Sequence, residues 1–205
     1  DRGVGGNQSL NGYIVVLFDG TNDLSYQTYD LNGLQTDANG YFLIGGANVT
    51  GIDARVAANT GLKVAGVDWL QNGADAVAIY RDVVATFPNG TGVTKQNLMD
   101  ALVYDTDDAD DAGLLTLLNA GQAQINENGG GDAENQSMQR IANGTGGPLN
   151  TNTYQTSAPT DGAVNFAVIP PSAAPTKLLL SEIVLTPTNA EYIEIFNPTT
   201  ASIDL

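Results

Sequence analysis

Five carboxylates crowd seven residues in the run Asp105-Thr-Asp107-Asp108-Ala-Asp110-Asp111. Hard oxygen ligands at that density suit calcium, which takes about 6–8 oxygens. The spacing is not that of an EF-hand: Ala109 stands where that loop wants a ligand, Asp110 where it wants glycine, and no Glu closes the motif. A second reading of the same run is a solvated acidic loop whose last Asp caps a helix, where the positive N-terminal end favours negative charge. Calcium on Asp105, Asp107, Asp108, Asp110 and Asp111 is the expectation to test. Asp19 and Asp23, in the FDGTND turn, are weaker candidates, since Asp commonly bonds its own backbone in such turns.

Other chemistry has few residues to use. Histidine and cysteine are absent, so Ser-His-Asp and Cys-His sites are excluded, and zinc would need an all-carboxylate shell that it seldom takes. Neither a GxGxxG fingerprint nor a P-loop is present. Paired carboxylates can act as general acid and base, yet no pair stands out whose neighbours would raise one pKa in an apolar pocket. The chain is therefore expected not to be an enzyme. Trp69 with Tyr13, Tyr26, Tyr29, Tyr41 and Tyr80 could form a carbohydrate platform, but apolar neighbours favour core packing for them.

Composition narrows the partners. Seven basic against 23 acidic residues give a formal charge of −16, which repels phosphate backbones and excludes nucleic acid as a direct ligand. With 205 residues, 42% hydrophobic and 24 glycines, the chain can bury a core and reads as a turn-rich extracellular β protein. No stretch approaches the roughly 18 apolar residues of a membrane span. The chain opens on Asp1 rather than Met, and an exported, processed bacterial protein is expected, outside the cell or on its surface. Sequons at Asn7, Asn48, Asn89, Asn135 and Asn143 mark expected surface loops.

Short strands are expected at 13–18, 25–31, 41–44, 61–68, 74–80, 100–104 and 137–141, punctuated by Asn32-Gly33, Asn39-Gly40, Gly45-Gly46 and Asn72-Gly73. The first is apolar on both faces, as at the centre of a sheet. Residues 111–121 read as one short helix, capped by Asp110 or Asp111, stopped by Gly121, and expected to plug one end of a sandwich. Gly144 to Tyr154 reads as a turn-rich return.

The tail reads differently. Residues 170–176 hold three prolines and form a stiff linker, after which 177–205 carry an apolar run from Leu178 to Leu185, a Thr-Pro-Thr-Asn turn and the alternating 191–196. A free two-stranded hairpin is marginal in water, so these strands need a host sheet. Burying half of the tail's large apolar side chains would contribute about 9–18 kcal/mol before ordering costs.

LLLSEIVLTPTNAEYIEIFNPTTASIDL resembles the first strands of the lamin-tail domain in large secreted bacterial proteins. YIVVLFDG, TDANGYFLIG, NGADAVAIY, DALVY and SAPTDGAVN look like the remainder of such a domain, in permuted order. The resemblance implies an all-β, immunoglobulin-like sandwich: an incomplete body at 1–169, the linker at 170–176, and donor strands at 177–205. It implies that Leu178, Leu180, Ile183, Leu185, Tyr192, Ile193, Ile195 and Phe196 fill a receiving core, in the parent chain or in a neighbouring copy. The expected function is a structural subunit that joins itself head to tail into filaments by strand donation. Two other readings stay open: a monomeric permuted module that binds a surface or glycan, and a repeat segment of a large secreted nuclease or phosphatase.

Overall fold

The structure, a computed structural model, describes residues 6–66, 69–165, 177–187 and 190–198. It is mostly β, with two packed sheets and little helix. The five-stranded sheet has the order β2 (Leu24–Asp30), β1 (Ile14–Asp19), β5 (Asp75–Tyr80), β6 (Leu98–Asp105), β7 (Ile125–Asn126). The six-stranded sheet runs β4 (Gly61–Lys63), β3 (Tyr41–Gly45), β11 (Tyr192–Phe196), β10 (Leu179–Val184), β8 (Ser137–Arg140), β9 (Tyr154–Ser157). Pairing is antiparallel except for β3 with β4 and β6 with β7.

Alternation places Val15, Leu17, Val77, Ile79 and Leu102 of one sheet against Phe42, Ile44, Ile183, Ile193 and Ile195 of the other, all fully buried. The opposite face of β1 is also dry. Ile14, Val16 and Phe18 lie with Ala76, Ala78 and Ala101 under Phe87, Leu114 and Leu118. The alanines leave room for that cover, which accounts for a strand apolar on both sides.

The single helix expected from the sequence becomes two. α1 (Ile52–Ala57) buries only Ile52 and starts on a left-handed Gly51 without a side-chain cap, so neither periodicity nor a capping residue announces it. α2 (Ala112–Leu117) starts on Asp111, whose Oδ1 accepts the Leu114 amide at 2.8 Å. Rather than plugging an end, α2 covers the outer face of the five-stranded sheet through Leu114 and Leu118. The strand expected over 61–68 stops at Lys63, and the return after Gly144 ends in a strand, β9, that its polar sequence hid. Among the described residues no helix is long and apolar enough to cross a membrane.

Asn7, Asn48, Asn89 and Asn135 are exposed, as expected of loop positions. Asn143 is half-buried and occupied: its Nδ2 donates to the Tyr41 hydroxyl at 2.6 Å and its Oδ1 accepts the Asn165 amide at 2.7 Å.

Candidate functional site at the C-terminal hairpin

The tail strands β10 and β11 form a hairpin seated in the middle of the six-stranded sheet, β11 against β3 and β10 against β8. Leu178, Leu180, Ile183, Leu185, Ile193 and Ile195 all enter the core between the sheets. Tyr192 instead joins Leu43, Val49, Ile52 and Val184 on the outer side, and Phe196 packs on Tyr41 with ring centroids 5.3 Å apart. Leu178 and Leu180 share a face with Ile183 and Leu185 because the register shifts between Leu180 and Glu182. A bulge of that kind changes which parity points inward. The linker over 170–176 and the close at Ile203, Asp204 and Leu205 lie outside the described residues.

The buried apolar face and the ladders to β3 and β8 set the hairpin's register, and buried ionisable groups add to them. The β8–β10 ladder pairs Gln139 with Glu182 and Met138 with Ile183. Beyond it, side chains take over. Asp100 of β6 reaches across from the other sheet, and its Oδ2 accepts the Leu180 amide at 2.9 Å. Arg140 Nε donates to the Leu180 carbonyl at 2.8 Å, and the Tyr154 hydroxyl donates to the same oxygen at 2.7 Å. Arg140 and Asp100 are themselves paired at 2.8 Å with both side chains wholly buried. Arg140 Nη1 also holds the carbonyls of Thr145, Gly147 and Asn150, and its guanidinium lies 4.7 Å from the Tyr154 ring centre. A charge pair out of water is tolerable only with such complete satisfaction.

A second anchor lies on the outer face. Glu182 and Glu194 stand opposite each other in the β10–β11 register, both fully buried. Glu182 accepts from Ser137 Oγ at 2.6 Å, Gln139 Nε2 at 2.9 Å, and Thr160 through its amide at 3.1 Å and its hydroxyl at 2.9 Å. Glu194 accepts from Ser181 Oγ and from the Gly162 amide at 2.8 Å. Burial, and then the charge of Glu182, push the Glu194 carboxyl well above the usual range. No carboxylate pair with a raised pKa was legible in the sequence, yet here is one. Its sequence signal is one Glu inside each apolar tail strand, Glu182 in LLSEIV and Glu194 in YIEIF. Through Thr160 and Gly162 the fully buried pair ties the loop after β9 to the hairpin.

Glu127 secures the end of β10, accepting from the Leu185 amide at 2.8 Å and from Thr186 Oγ1 at 3.1 Å. Burial pushes its carboxyl up from an ordinary 4.5 to about 7, outweighing those hydrogen bonds. The folded protein therefore holds a proton there that an unfolded chain releases. The resulting stabilisation is complete below about pH 4.5 and lost as pH rises through about 7. Glu127→Gln is expected to match the parent in urea unfolding at pH 4.5 and to exceed it by roughly 3 kcal/mol at pH 8.5. Equal midpoints at both values would show that water reaches the carboxylate.

The acidic run does not gather into one cluster. Asp105 is buried at the end of β6 with Oδ1 on the Asp107 amide at 3.2 Å; burial, then the charge of Asp108, raise its pKa. Asp107 Oδ2 accepts from Asn128 at 3.1 Å, Asp108 and Asp110 are exposed, and Asp111 caps α2. Of the aromatic set, Tyr13, Tyr41, Trp69 and Tyr80 are buried, while Tyr26 and Tyr29 cover the core edge, with Tyr29 packed edge-on to Trp69 at 5.9 Å. Comparison of the chain with family models, with curated proteins and with solved structures finds no match.

Proposed function

We propose that this chain is a non-enzymatic structural subunit of an extracellular bacterial polymer, an immunoglobulin-like sandwich of the lamin-tail type whose C-terminal hairpin is donated to the next copy. The observation that carries this reading is the hairpin's place. Without β10 and β11, the six-stranded sheet falls into the pairs β4–β3 and β8–β9, and the core lies open between two unpaired edges. A hairpin that enters its sheet through a linker makes the same contacts whether it comes from its own chain or from a neighbour.

The connection has reach to spare. Asn165 Nδ2 donates to the Ser181 carbonyl at 2.9 Å, which puts Asn165 within roughly 20 Å of Lys177 along an extended strand. A Pro-rich connection over 166–176 can span about 35 Å. The surplus permits a neighbour to be served, and head-to-tail donation that does not close into a ring gives an open filament. A second reading, the monomeric permuted module, is favoured by the hairpin's fit within one chain.

The two readings separate on size. The full-length chain is expected to form filaments by negative-stain microscopy and a broad, concentration-dependent mass distribution in solution. A chain ending at Ala174 should form none, and a peptide spanning Lys177 to Leu205 should convert it to capped monomers. A full-length chain that stays a heat-stable monomer at high concentration overturns donation and leaves the permuted module in its place.

A further inference from the structure

A cleft of about 290 Å³ opens at one end of the sandwich, where the β1–β2 turn, the start of β5 and the acidic loop meet. Asp19, Asp75, Asp110 and Asp111 line it. Three of these come from parts of the chain far apart in sequence. Asp75 is only 3% exposed; its Oδ1 accepts the Gly20 amide at 2.8 Å, while its buried Oδ2 has no hydrogen-bond partner. An orphaned carboxylate oxygen in a wall of like charge is costly unless something neutralises it. The carboxyls of Asp19, Asp105 and Asp111 and the hydroxyls of Tyr26 and Tyr104 are its electrostatic neighbours, and none of them brings a positive charge.

The packing around it is close. A Cβ on Gly20 would lie 1.8 Å from the Ala74 carbonyl oxygen and 2.6 Å from Asp111 Oδ2, so only glycine lets these oxygens approach. The other Asp111 oxygen is taken by the Leu114 amide, leaving Oδ2 directed at Gly20 and the cleft.

We propose that this cleft binds a calcium ion through Asp75 Oδ2 and Asp111 Oδ2, with Asp19 and Asp110 at its rim. Neither Asp75 nor the β1–β2 turn belongs to the acidic run that draws the eye in the sequence, and Asp105, Asp107 and Asp108 take no part. The donors are all hard oxygens, the cleft admits water, and the chain holds no His or Cys to favour a softer metal. Among the described residues no three acidic side chains already converge on one point, so water and backbone carbonyls complete the shell. Sites of this kind in extracellular modules bind at about 0.1–1 mM.

The test is thermal unfolding of the full chain at pH 7.5 in calcium chloride, in magnesium chloride of equal ionic strength, and in chelator. Calcium at roughly 100 times the dissociation constant is expected to raise the midpoint by about 5 °C or more. Asp75→Asn keeps the acceptor for Gly20; in chelator it should melt at or above the parent temperature, having lost a buried charge, and in calcium it should show no rise. Asp110→Asn should halve the rise or more, and the pair Asp107→Asn with Asp108→Asn should keep it. The site is overturned if calcium gives no shift, if magnesium matches it, if Asp75→Asn still responds, or if only the Asp107 and Asp108 changes abolish the response.

Discussion

Arg140→Leu is expected to destabilise the fold by about 3–5 kcal/mol or more. The substitution keeps apolar volume but strands the wholly buried Asp100 carboxylate and removes the donor shared by four backbone carbonyls. Against a typical total of about 5–15 kcal/mol, that is a large fraction of what holds the chain folded. The damage should concentrate where Arg140 acts: β10 loses its tie at Leu180, and the loop from Thr145 to Asn150 loses three of its carbonyl partners. Urea unfolding measures the first effect, and early protease cleavage within 141–153 and near Leu180 measures the second. Adding Asp100→Asn should recover part of the loss by removing the stranded charge, although the carbonyls stay unpaired. A change below about 1 kcal/mol for Arg140→Leu would mean that the pair is solvated and the hairpin's register is set by packing alone.

Ile193→Asp with Ile195→Asp should release the hairpin altogether. Both side chains are fully buried in the main core on β11, the strand that bridges β3 to β10. Removing the apolar side chain alone costs about 2–5 kcal/mol at such a site, and an unpaired buried carboxylate adds several more. The sum approaches the stability of the whole fold. Amide hydrogen exchange should show lost protection across β10 and β11 together with β3 and β8, their partners, while β1 and β5 retain more. If donation between copies is right, the variant also forms no filaments and a wild-type tail peptide restores a compact body. Retained protection in β11 would show that the strand is held by its backbone ladders rather than by the core.

Much of the architecture was legible because alternation and punctuation are local. Strands 13–18, 41–44, 74–80 and 100–104 carry apolar residues between Gly, Asn and Asp turns, and they form β1, β3, β5 and β6 with ends shifted by one or two residues. The Asp111 cap is equally local: an acid before an apolar run. The tail's need for a host sheet also follows from sequence, since two apolar strands separated by a turn cannot stay in water.

What remained hidden depends on partners far along the chain. α1 buries a single residue, Ile52, that its own period cannot reveal, and Arg55 ties it to Asp37 far along the chain, while β9 is the polar strand YQTS, recruited by pairing with β8. The continuous run Leu178–Leu185 carries no period of two, so only the bulge at Ser181, fixed by Asp100 and Arg140 from outside the hairpin, decides which of its residues face inward. The acidic cluster illustrates the same division. Density along the chain marked Asp105 to Asp111, but folding turns Asp105 inward and brings Asp75 to the same cleft as Asp111 across 35 intervening positions. Charge density is a property of sequence; which carboxylates share a low-dielectric site is decided by the strands that carry them together.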